Sequence, residues 1–89
     1  MDSLLIFSEH AIDRMLNWGL DVTDVQTAFD SAETIEEYAD GARLLLGRAG
    51  VRPLHLVVRP VSNGEGTFMI TVYEPTEDRW DSGFTRRRR

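Results

Sequence analysis

The sequence predicts an α+β domain, with two N-terminal helices packed on one face of an antiparallel sheet of about four strands. Three observations predict it. Between Ser8 and Phe29 apolar residues recur at helical spacing in two stretches, each framed by capping residues. From Glu33 to Tyr73 the pattern changes to short runs rich in Leu, Ile, Val and Tyr, separated by turns that contain glycine. Both helices precede these strands, so short connections give antiparallel neighbours and leave the helices to one face. A chain of 89 residues is long enough for one such domain with a single modest core.

The elements follow in order. Leu4-Leu5-Ile6-Phe7 is a short apolar lead-in or edge strand. Ser8 is placed to cap a helix running to about Trp18, with Gly19 supplying the left-handed residue that ends it. Ala11, Met15 and Trp18, widened by Ile12 and Leu16, form its apolar face, whereas His10, Arg14 and Asn17 form a polar stripe at i, i+4 and i+7. A second helix starts at Asp21, with Asp24 three residues on as an acidic version of a capping box and Leu20 set to staple against Val25. Val22, Val25, Ala28 and Phe29 supply its buried side.

Glu33 to Tyr38 reads as the first strand of the sheet, and Asp40-Gly41 as a turn. Arg43 to Arg48 is the second strand, and Ala49-Gly50 turns the chain into Arg52-Pro53-Leu54-His55-Leu56-Val57-Val58-Arg59-Pro60. The Asn63-Gly64 pair marks a hairpin into Phe68 to Tyr73. Alternation places Leu54, Leu56 and Val58 on one face with Phe68, Ile70 and Val72. His55, Arg59, Thr71 and Tyr73 are then gathered on the other. Pro75 closes the last strand, and Thr76 to Trp80 makes a helical turn that docks Trp80 on the body. The domain is expected to span residues 1–81, with 82–89 as a flexible basic tail.

Charge narrows the partners. The net charge is −5, yet Arg86 to Arg89 alone hold four of the ten positive charges, leaving six arginines against fifteen acids elsewhere. An acidic body argues against a broad phosphate-binding surface and leaves room for a local basic pocket. The terminal arginines read as an electrostatic arm for RNA or an acidic partner, or as a solubilising end. With no cysteine, thiolate metal sites, disulfides and cysteine nucleophiles are excluded; with no lysine, so is lysine-based Schiff-base chemistry. The first residues carry no basic region and too short an apolar run for a signal peptide or membrane span, so a cytoplasmic protein is expected. No metal-ligand spacing or phosphate loop occurs, and neither a metal nor a cofactor is expected.

Ser8-Glu9-His10-Ala11 with Arg14 and Met15, Ile35-Glu36-Glu37-Tyr38, Leu46-Gly47-Arg48, Arg52-Pro53-Leu54-His55, Ile70-Thr71-Val72-Tyr73-Glu74-Pro75 and Trp80 occur in that order. Together they resemble a small prokaryotic family known as domain of unknown function 4258, from Phe7 to Arg89. The resemblance implies kinship with compact ribonuclease toxins of the RelE/ParE-like type, an RNA substrate and an antitoxin-like protein partner. It singles out His10, Arg14, His55, Tyr73 and Glu74 as the recurrent polar positions.

A toxin-like, metal-independent endoribonuclease needs a base, an acid and a cation at the phosphate. On this reading His55 is the base, His10 its proton-transfer partner and Tyr73 the residue that orients the nucleotide. Arg14 and Arg59 hold the phosphate. Histidine suits both proton roles because its ordinary pKa is about 6.5. Each histidine also has an ordinary structural role open to it, His10 beside the helix cap and His55 packed on Tyr73. The alternative expectation is a non-catalytic protein-binding module, a degenerate toxin relative whose acidic face or open sheet docks a partner.

Overall fold

The computed structural model describes residues 4–61 and 66–87. Along the chain come β1 (Leu5–Phe7), α1 (Glu9–Trp18), α2 (Val22–Asp30), β2 (Glu33–Glu37), β3 (Arg43–Ala49), β4 (Arg52–Pro60) and β5 (Thr67–Tyr73). The fold is α+β, and the sheet has five strands in the order β1-β5-β4-β3-β2. Strands β2 to β5 form the expected antiparallel meander. The fifth strand is the apolar lead-in: β1 runs parallel to β5, pairing Leu5 with Thr67 and Phe7 with Met69, which makes the sheet mixed. The Asn63-Gly64 turn lies outside the described residues. No helix among the described residues is long and apolar enough to cross a membrane.

The helix ends are built by local chemistry. Ser8 accepts the Ala11 amide at the start of α1, and Gly19 ends it at φ 66°. In α2 the Asp21 and Asp24 carboxylates each accept the other's backbone amide, a reciprocal box at 2.8 and 3.1 Å. The last turn of α1 has no basic residue of its own. Arg52 of β4 supplies one, donating from Nη2 to the Trp18 carbonyl at 2.7 Å and from Nε to Glu74 at 2.9 Å.

Both helices lie on the face of the sheet that carries Leu45, Leu54, Leu56, Val58, Met69 and Val72, where Ala11, Met15, Val25 and Ala28 close the core. At Gly47 the α2 backbone comes so near that a Cβ atom there would stand 1.9 Å from the Ala28 carbonyl oxygen. Only glycine permits this approach, and it brings α2 down onto β3.

The alternation expected for β5 fails at one residue. Val57 pairs with Thr71 and Val58 with Met69, so Ile70 has no partner on β4 and forms a bulge. Val72 faces the core as expected, and Met69, not Phe68 or Ile70, accompanies it. Phe68 instead lies opposite Arg59 on the other face. The extra residue is held from α1: the Ile70 carbonyl accepts the Ser8 hydroxyl at 2.8 Å, and the Ser8 amide donates to Met69 at 3.1 Å.

Candidate functional site

His55 and Tyr73 sit directly opposite one another on β4 and β5, before the bulge alters the register. Their side chains leave the helix-free face of the sheet, as alternation requires. There the Tyr73 hydroxyl lies 3.1 Å from His55 Nδ1, with the rings edge to face at 5.2 Å between centroids.

The chain beyond β5 folds back over this pair. Trp80 meets the imidazole edge-on at 4.3 Å, and the Phe84 carbonyl lies 2.7 Å from His55 Nε2. A carbonyl oxygen can only accept, so Nε2 carries a proton; in the neutral ring that burial favours, Nδ1 then accepts the Tyr73 hydroxyl proton. His55 has both nitrogens satisfied and is 0% exposed. Burial holds its pKa below the ordinary histidine value; the Phe84 carbonyl opposes that shift, and the nearby Arg87 charge adds to it. Burial likewise pushes the Tyr73 phenol above its ordinary value, against the pull of Arg87.

The segment from residue 82, expected as a flexible basic tail, contributes Phe84 to this arrangement, and Trp80 and Arg87 form an isolated antiparallel bridge. Asp81 accepts the Thr85 amide through its side chain, and its own amide donates to the Arg86 carbonyl. Phe84 takes the left-handed conformation at φ 61°, uncommon for a large side chain and worth roughly 1–2 kcal/mol of strain.

The other residues chosen from the sequence lie elsewhere. His10 and Arg14 are exposed on α1, where Arg14 Nε approaches His10 Nε2 at a long 3.5 Å. Because α1 covers the opposite face of the sheet, His10 and His55 point to different sides of it. Arg59 shares the His55 face but lies four residues along the strand, about 13 Å away. It is paired with Asp40 at 2.6 Å, at the edge of an open groove lined by Tyr38, Val57 and Ile70 among others. The pocket in which His10, Arg14, His55, Arg59 and Tyr73 would converge therefore does not form: His55 meets Tyr73 on the sheet, and His10 meets Arg14 on α1. Glu74, also marked by the resemblance, is engaged by Arg52.

The neighbours that matter most to His55 escaped sequence reasoning. Phe84 acts through its backbone carbonyl, which carries no residue signature. Trp80 was expected to dock, with no indication of its target.

The family described as Domain of unknown function (DUF4258) matches residues 7–74, most of the chain. The chain belongs to this family. The matched span holds both helices, β2 to β5, His55 and Tyr73, and it ends before Trp80 and Phe84. No curated protein and no solved structure matches the chain.

Proposed function

We propose that this protein is a non-catalytic protein-binding module on a toxin-like scaffold. One observation carries the reading: the imidazole best placed in the sequence to act as a base is fully buried, with both nitrogens engaged and the second histidine on the other side of the sheet. A base must reach the proton it removes. Open on the helix-free face is a 620 Å³ groove lined by Tyr38, Ala39, Ala42, Val57, Arg59 and Ile70. It adjoins the exposed Glu36, Glu37 and Asp40, which favours a partner with an apolar ridge flanked by basic side chains.

The second reading, a metal-independent endoribonuclease, draws on the Tyr73 hydroxyl bonded to His55. It requires the segment bearing Phe84 to leave the ring. One assay separates the two. Purified protein is incubated with RNA in chelator beside the His10→Ala and His55→Gln variants, and no cleavage is expected from any of them. Cleavage by the wild type that either variant abolishes overturns the binding reading. A photo-crosslinking residue at Val57 should capture a partner through a basic, apolar peptide, whereas one at Thr23 on α2 should not.

A further inference from the structure

Beside the sealed histidine the chain makes a second, smaller cavity of 250 Å³, lined by Tyr73, Thr76, Arg79, Trp80 and Arg87 with Glu74 and Pro75. Its two arginines come from different stretches of the segment after β5. Arg79 follows the turn closed by its own amide on the Thr76 carbonyl at 3.2 Å. Arg87 reaches back across the bridge to Trp80 and stands 4.8 Å over the indole centroid. Both residues are exposed, and among the described residues neither forms an ion pair with a carboxylate. The one carboxylate in the lining, Glu74, is occupied by Arg52. Arg87 also lies close enough for its charge to be felt by His55 and Tyr73. On a chain of net charge −5, this cavity brings two arginines together: Arg79, whose charge is felt by the neighbouring Asp78, and Arg87, which rests on the Trp80 indole.

We propose that this cavity is a binding site for a phosphate group, with Arg79 and Arg87 as its two ligands. The chemistry favours phosphate over a carboxylate. A single guanidinium fork satisfies both oxygens of a carboxylate, whereas two forks from separate stretches of the chain match a tetrahedral anion whose oxygens share about two negative charges. The Tyr73 proton is committed to His55, so the phenol oxygen can only accept and gives the anion nothing. The Trp80 face is already covered by Arg87, so no base stacks there and recognition is confined to the phosphate and what it is esterified to. The site lies outside the span matched by the family and stands independently of the protein-binding reading.

The test is a titration of the full-length protein with inorganic phosphate at low ionic strength, read by NMR at the Arg79 and Arg87 side chains and the Trp80 indole. Parallel titrations use acetate, a 5′-phosphorylated short RNA, and the same RNA without its phosphate. Saturable shifts with phosphate are expected, weakened at least tenfold by Arg79→Gln and by Arg87→Gln, with Arg87→Lys recovering part of the loss. Arg86→Gln, outside the cavity, should bind as the wild type does. Tighter binding of phosphorylated RNA than of free phosphate assigns the group to an RNA end, and equal or weaker binding assigns it to small phosphates. Absence of saturation, affinity unchanged in both glutamine variants, or acetate binding as well as phosphate would each overturn the proposal. Thermal melting of each variant separates lost ligand contacts from lost fold.

Discussion

The Ser8 hydroxyl joins two distant parts of the chain, accepting the Ala11 amide within α1 while donating to the Ile70 carbonyl at the β5 bulge, at 2.9 and 2.8 Å. A hydroxyl can do both because it has one proton and two lone pairs. Ser8→Ala loses the cap and leaves the bulge carbonyl without this donor, and should cost about 2–3 kcal/mol in urea denaturation. Ser8→Asp keeps an acceptor for the cap but has no proton for Ile70. It should recover only part of the loss, and full recovery would show that the bulge bond contributes nothing.

Gly47 gives the sharpest steric prediction. An added methyl group would meet the Ala28 backbone, which cannot swing aside as a side chain does. Gly47→Ala should therefore force α2 off β3, with a loss of about 3 kcal/mol, the upper part of the usual range for overpacking. Chemical denaturation measures it. A loss below about 1 kcal/mol would mean that the helix rides on the sheet more loosely than described.

Stability should depend on pH through His55. Its folded pKa is held down, mainly by burial, so the unfolded chain takes up a proton more readily than the folded one. The contribution of neutral His55 is then complete above the ordinary value of 6.5 and is lost as pH falls from there toward the lower folded value. The groups facing the ring are Tyr73, Trp80, the Phe84 carbonyl and the Arg87 charge. None of them is an acid that would hold a second proton on it at neutral pH. Melting temperatures between pH 7.5 and 5 should fall for the wild type and fall less for His55→Gln. An equal slope in both would assign the dependence to other groups.

Arg52 should resist replacement by lysine. Its guanidinium makes bonds from two different nitrogens to Trp18 and Glu74, and an ammonium cannot span both in that geometry. Arg52→Lys is expected to lose about 1 kcal/mol and Arg52→Ala about 2, by thermal or urea unfolding.

Much of this architecture was legible in the residues. Ser8, Gly19, Asp21 and Asp24 announce helix ends through chemistry that acts over three or four positions, and the ends fall where expected. Leu54, Leu56 and Val58 face the core, and His55 faces away beside Tyr73, because alternation along an unbroken strand is a local rule. It misled where a long-range bond intervened. The bulge at Ile70 is held by Ser8, 62 residues away, and nothing in Phe68 to Val72 signals it. For the same reason β1 shows no mark of its parallel partner. The candidate site was read least well. Alternation tells which side of a sheet a histidine leaves, but not whether another segment lies on that side, and the cover over His55 comes from a backbone carbonyl and an indole set perpendicular to its ring.

The guanidinium of Arg52 ties the end of the first helix to the end of the last strand, two places 56 positions apart in the sequence. Fraying at either should thus be felt at the other, so deuterium uptake at the amides around Trp18 and around Glu74 is expected to rise in step in Arg52→Ala. One half-buried arginine thus acts as a clasp between a helix end and a strand end that the chain itself connects only through the rest of the fold.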